Sequence, residues 1–192
     1  MIIGLTGGIG SGKSVVAKLF EMMGCALFNS DAVAKDAYYL SGVREQVTAL
    51  LGHEAYSADG SINKTYISAK IFGDTDQLHR LNAIIHPAVK AEFLNFQNKQ
   101  ERSTIIVKES ALLFEAKIEH EVDRICVVSA PEHIRIARVM QRDHITEEEV
   151  RKRIKSQMPQ EEKVKKAHLN ILNDEQHSLI EQVTQVLHTL RN

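Results

Sequence analysis

Apolar positions along the chain recur with two periods. Met1 to Thr6, Ala26 to Phe28, Ser103 to Val107, Ile125 to Val128 and Leu169 to Leu172 are short apolar or β-branched runs. Runs of that length predict strands buried on both faces of a parallel sheet. Between them the spacing is helical. Val15, Val16, Leu19 and Phe20 predict a helix over Lys13 to Met23, stopped by Gly24. Asp31 to Tyr39 reads as a helix built on Ala32, Ala34 and Ala37, with Asp31 near its N-cap. Further helices are expected over Gly42 to Leu51, Asn63 to Phe72, Thr75 to Ile85 and Pro87 to Gln97, with a turn at Ala58 to Ser61. Two helices are expected around Pro87 because proline suits a first helical position and biases His86 away from helix. Ala111 to Glu115 is an apolar loop or short helix. Pro131 to Arg142 is a helix with a basic face. Thr146 with Glu149 has the spacing of a capping box that opens a charged helix to Gln157. Pro159 to Ala167 and Ser178 to Leu190 complete the helices. Strands alternating with helices predict an α/β fold with a mostly parallel sheet.

Composition narrows the function. The 192 residues suffice for one domain with an insert, and 43% apolar with 26% charged residues is ordinary for a globular chain. The formal net charge of −1 excludes a general binder of nucleic acid or anionic membrane, so any anion must be held locally. Cys25 and Cys126 are too few for a disulfide framework or a cysteine-rich zinc site. Both lie beside apolar runs and read as core. No histidine pair has HExxH spacing. No basic leader and no run of about 18 apolar residues is present, so the expectation is a soluble, cytoplasmic protein.

The chemistry starts at Gly7-Gly8-Ile9-Gly10-Ser11-Gly12-Lys13-Ser14, which fits G-x-x-x-x-G-K-[ST] between a strand and a helix. Backbone N–H groups converging on phosphate oxygens need positive φ and no intervening side chains, hence glycine. The following helix adds its positive end. Lys13 is expected on the β- and γ-phosphates, and the Ser14 hydroxyl on Mg²⁺. That pattern implies a nucleoside triphosphate and Mg²⁺ without saying what is done with them. A GTPase switch is disfavoured, because no aspartate starts a D-x-x-G and Asn98-Lys99-Gln100-Glu101 sits at a polar helix end. A small-molecule kinase needs an acceptor pocket and a basic lid instead. Pro131 to His168 is the lid candidate. There Arg135, Arg138 and Arg142 share one helical face, suited to phosphate oxygens.

IGLTGGIGSGKS, SDAVAK, LNAIIHP, LLFE, Arg142-Asp143 and RIKSQMPQEEKVKKA together resemble the dephospho-coenzyme A kinase family nearly end to end. The resemblance implies a P-loop three-layer α/β fold, with 1–38, 102–130 and 168–192 as core, 39–101 as helical acceptor-side insert and 131–167 as lid. It implies transfer of the ATP γ-phosphoryl to the ribose 3′-hydroxyl of dephospho-CoA, the last step of coenzyme A synthesis. No nucleic-acid or membrane partner is implied, and the oligomeric state is left open between monomer and weak oligomer.

Residue by residue, the resemblance puts Gly8, Ile9, Gly10, Ser11, Gly12, Lys13, Ser14 and Val15 on the ATP phosphates, with Arg142 from the lid and Asn173 near the adenine end. Asp31 matches the family's candidate base for the acceptor hydroxyl; as an N-cap alone it has a purely structural role. Lys35, His86 and Leu113 of LLFE fall on the acceptor side. Several positions depart from the family pattern: Asn29 for aspartate, Ala111 for proline, Arg135 for glutamine and His168 for aspartate. Glu109 and Glu115 follow a strand, where an acid near Mg²⁺ or an ordinary loop carboxylate is expected. A nucleoside or nucleoside-monophosphate kinase, or a binding module without catalysis, remains the alternative.

Overall fold

The computed structural model describes residues 1–191. They divide into two compact units, 1–29 with 100–192, and 30–99. The first unit holds strands β1 (Ile2–Thr6), β2 (Ala26–Asn29), β3 (Ile106–Glu109), β4 (Arg124–Ser129) and β5 (Leu169–Leu172). All pair in parallel, in the order β2-β3-β1-β4-β5. This unit also contains α1 (Lys13–Met22), α6 (Glu132–Asp143), α7 (Glu147–Lys155), α8 (Gln160–Lys166) and α9 (Leu179–Arg191). The second unit is helical, with α2 (Ser30–Ala37), α3 (Ser41–Leu51), α4 (Lys64–Ile71) and α5 (Thr75–Asn98).

On one face of the sheet, Ile3, Leu5, Val107, Cys126, Val128 and Ile171 pack with Val16 and Phe20 of α1 and Val183 and Leu187 of α9. On the other, Ile125 and Val127 pack with Leu113 and Phe114. A third cluster joins Ile136 and Val139 of α6 to Val150 of α7, with Ile9 of the glycine loop against it. The Thr146–Glu149 capping box forms, with both reciprocal bonds present. In the second unit Val47, Leu51, Ile67, Leu81 and Ile85 form a separate core.

Three expectations change, and one left open between loop and helix is settled as a loop. Residues 75–98 form one helix with Pro87 inside it, where two helices were expected. Proline removes one intrahelical bond, but Leu81, Ile85 and Phe93 on its length are all buried, and that packing holds the helix through the lost bond. The third strand ends at Glu109 rather than Val107, because Lys108 and Glu109 are each 2% exposed and continue the ladder. The second helix opens at Ser30, so Asp31 lies in its first turn. Ala111 to Glu115 is a series of turns closed by bonds such as Ile118 N–H to the Leu113 carbonyl at 3.1 Å. The division at Ser30 puts α2 in the helical unit, where it packs on α5, whereas residues 131–167 stay within the first.

The two thiols are enclosed. Burial pushes Cys126 up to about 12, and Cys25 also rises, through burial with a smaller opposing pull from Arg191. Because the thiolate is the reactive form, a thiol reagent at pH 8 is expected to spare both in the folded protein and titrate both in denaturant. Native-state modification of Cys126 at the denatured rate would contradict the packing described.

Candidate active site

The carboxyl ends of the parallel strands, where α/β folds bind ligands, carry the glycine loop, Asn29, Glu109 and Ser129. Gly10 and Gly12 have φ of +78° and +87°, the left-handed region that glycine enters without strain. Their Cα faces are also in contact with other backbone and side chains. A Cβ on Gly10 would lie 2.5 Å from the Arg135 carbonyl, and one on Gly12 would lie 2.1 Å from Asn173 Nδ2. The loop runs directly into α1, with Val16 N–H donating to the Gly12 carbonyl at 3.2 Å. Amides 10–15 thus stand at the positive end of a helix.

Glu109, paired in register with Leu5 on one side and Asn29 on the other, is the acid of this edge. Its Oε1 accepts from Lys13 Nζ at 2.7 Å and Ser14 Oγ at 3.2 Å, and its Oε2 accepts from Asn29 Nδ2 at 3.0 Å. The carboxylate therefore aims the lysine and the hydroxyl at one place. Glu115 does something different. Its Oε1 accepts from Met158 N–H at 2.9 Å and pairs with Lys163 Nζ at 2.8 Å, which fastens α8 to the turns after β3. The strand expected to stop at Val107 hid this distinction, because two charged residues inside a strand look like a loop.

The three arginines of α6 separate. Arg135 is 5% exposed and donates from Nε to the Ile9 carbonyl at 3.0 Å. Arg138 donates to Asn173 Oδ1 at 3.2 Å and to Glu175 at 3.1 Å. Arg142 points elsewhere, onto Asp143 at 2.7 Å, which also accepts from Arg153 at 2.8 Å. The hydrogen bond from Arg142, then the charges of both arginines, hold the Asp143 carboxyl below its usual range. Asn173 lies against the phosphate loop, donating to the Ser11 carbonyl at 2.8 Å. Ile9 N–H donates to Gln157 Oε1 at 2.8 Å, a contact no sequence signal marked. Leu113 is fully enclosed in the core, so its side chain packs rather than lining a surface. His168 Nδ1 accepts from Ile125 N–H at 3.0 Å, which requires that nitrogen unprotonated. Asp31, Lys35 and His86 belong to the second unit, on the packed pair α2 and α5.

Among the described residues no group of three or more His, Cys, Asp or Glu is arranged to hold a metal. The nearest donor set is the Ser14 hydroxyl with the Glu109 carboxylate, 3.2 Å apart. Both are hard oxygen donors, the type Mg²⁺ takes alongside substrate phosphates. No helix is long and apolar enough to cross a membrane among the described residues.

The family model described as "Dephospho-CoA kinase" matches residues 1–178. A dephospho-CoA kinase of Bacteroides fragilis (strain YCH46) is 40% identical over 186 residues, covering 96% of this chain and 90% of its own. A crystal structure from Thermus thermophilus superposes with a TM-score of 0.90 at 30% identity, covering 100% of this chain and 98% of the other. The dephospho-CoA kinase structure from Campylobacter jejuni shares the fold, with a TM-score of 0.69 at 21% identity over 98% of this chain and 96% of that one.

The Lys163–Glu115 pair gives a stability test. Lys163 is fully buried, and removing one partner of a buried pair leaves an unanswered charge, at a cost of about 3–5 kcal/mol. Glu115→Gln is expected to lower the urea midpoint sharply, and Glu115→Gln with Lys163→Met to recover much of the loss. A double variant that adds the two single losses would mean that the pair is uncoupled.

Proposed function

The chain belongs to the dephospho-CoA kinase family, and on that premise we propose that it transfers the γ-phosphoryl of ATP to the ribose 3′-hydroxyl of dephospho-CoA, giving coenzyme A and ADP in the cytoplasm. The observation that carries the reading is the convergence of Lys13 and Ser14 on Glu109 inside a glycine loop at the sheet's carboxyl edge. Phosphoryl transfer needs positioning and charge neutralisation more than covalent help. The amides from Gly8 to Val15 wrap the phosphates, and Lys13 neutralises the oxygens that gain charge. Ser14 and Glu109 would hold Mg²⁺ together with the nucleotide, and the ion would supply further neutralisation of phosphate charge.

Asn29 fits this arrangement. Its amide donates to Glu109 Oε2 at 3.0 Å, which leaves Oε1 for Lys13 and Ser14. Aspartate there would set two carboxylates against each other and favour protonation of one. Asp31, two residues further along the chain, orients the acceptor hydroxyl and takes its proton as the P–O bond forms. Lys35 and His86 bind the acceptor. Arg142 leaves Asp143 to meet the nucleotide, Asn173 holds the loop that binds it, and closure excludes water.

Two measurements test this. With ATP and Mg²⁺, ADP production is expected with dephospho-CoA and not with nucleosides or nucleoside monophosphates; turnover of a nucleoside monophosphate alone would move the acceptor assignment. Asp31→Asn keeps the size and polarity of a side chain in the first turn of α2, so a purely structural role there predicts near-normal kcat. A general base contributes about 10²–10⁴-fold, and a fall in kcat smaller than about tenfold would remove Asp31 from that role.

A further inference from the structure

Arg135 is a buried cation, 5% exposed, that the proposed reaction does not use. Unlike Lys108 and Lys163, which pair with Glu121 and Glu115, it has no carboxylate partner among the described residues: Glu132 and Glu161 act on it only as more distant charges. Of its five N–H donors, Nε donates to the Ile9 carbonyl at 3.0 Å, and among the described residues the others have no hydrogen-bond acceptor. Glu132 is itself bonded to Arg151 at 2.6 Å. The guanidinium lies against the loop, since a Cβ on Gly8 would come within 2.5 Å of Nη2 and 2.8 Å of Cζ. Only glycine at position 8 permits that approach.

A guanidinium taken out of water is costly unless a counter-charge answers it. The glycine loop it lies against leads into the positive N-terminal end of α1. Bracing alone does not explain an arginine here. A glutamine at this position could donate the same bond to the Ile9 carbonyl without a charge. What arginine adds is charge and unused donors at the edge of a phosphate cradle. Such a group is stable in place when an anion completes its surroundings.

We propose that Arg135 is a nucleotide-affinity residue of this chain: Nε fixes the loop at Ile9, and the guanidinium's charge and free donors strengthen binding of the ATP polyphosphate. The inference rests on the nucleotide half of the proposed function and is independent of the acceptor. It is tested by calorimetric titration of the full chain, without acceptor, with ATP and with inorganic tripolyphosphate. Arg135→Gln keeps the brace and removes the charge. Affinity for both ligands is expected to fall by about five- to twentyfold, with a weaker dependence on salt and with Tm unchanged or raised. Arg135→Lys, which keeps the charge, is expected to retain more affinity than Arg135→Gln. Arg135→Ala loses brace and charge and is expected to fall in both affinity and Tm. Tripolyphosphate binding by Arg135→Gln within twofold of the parent would reduce Arg135 to a brace and overturn the proposal. Lost affinity accompanied by a lowered Tm in Arg135→Gln would also overturn it, by tracing the effect to a distorted loop. Failure of dephospho-CoA as acceptor would leave these titrations unchanged, so the two readings fail separately.

Discussion

Backbone proximity is the constraint on which the rest depends. The loop from Gly7 to Gly12 is pressed between β4, α6 and the residue after β5, with no space for a side chain at Gly7, Gly10 or Gly12. A Cβ on Gly7 would lie 2.4 Å from the Val128 carbonyl, and those on Gly10 and Gly12 would strike Arg135 and Asn173. A loop that must present its amides inward cannot also satisfy its outward groups by itself. Its surroundings do that. Ile9 donates to Gln157 and accepts from Arg135, Ser11 accepts from Asn173, and the Ile9 side chain packs on the α6–α7 cluster. The phosphate site is thus built by elements more than a hundred residues away in sequence, and the sheet's parallel order brings them to one edge.

Charge follows the same logic. A chain of net charge −1 binds a polyanion only by concentrating cations, and a concentrated cation needs a local counter-charge while it waits. Glu109 is that counter-charge for Lys13, and being 2% exposed it acts where solvent screening is weak. Because the same oxygen reaches Ser14 at 3.2 Å, one carboxylate serves both the lysine and the hydroxyl. Asn29 keeps it oriented as a neutral donor. The departure at position 29 is therefore a coherent local arrangement and not a missing base.

Much of the fold was legible because its signals are local. Glycine positions, the capping box and the apolar runs each report short-range geometry, and the five strands and most helices lie where those signals point. The discrepancies arise where long-range packing prevails. Pro87 sits inside a helix because the buried side chains of Leu81 and Ile85 before it and Phe93 after it outweigh one lost bond. Lys108 and Glu109 continue a strand because the neighbouring strands supply partners for their backbone. The site was half legible for the same reason. Lys13 and Ser14 are fixed by a motif, whereas Glu109, Gln157 and the Arg138–Asn173 link require knowing which chain ends meet. The arginine face is the instructive case. Helical spacing placed three guanidiniums on one side, but the neighbours of each differ, so the three engage different partners.

Those partners also say what can move. The segment 131–167 is fastened at both ends. At its start the Arg135 carbonyl packs on Gly10, and the Gln160 side chain makes paired bonds with Ala130, at 3.0 and 3.1 Å. At its end Lys163 is held by Glu115 and the Ala111 carbonyl, and Gln157 by Ile9. Neither α8 nor the first turns of α6 can swing without breaking buried polar contacts. On the proposed function, closure over a nucleotide would come from the tip, the end of α6 through α7, where His144, with φ of +53°, ends α6. Arg142 and Arg153 both grip Asp143, which ties the end of α6 to α7. The ion pair that restrains Arg142 is exposed, and exposed pairs contribute only about 0–1 kcal/mol. On the proposed function a polyphosphate would compete easily with so weak a restraint, which suits an arginine that has to leave its partner to meet a nucleotide.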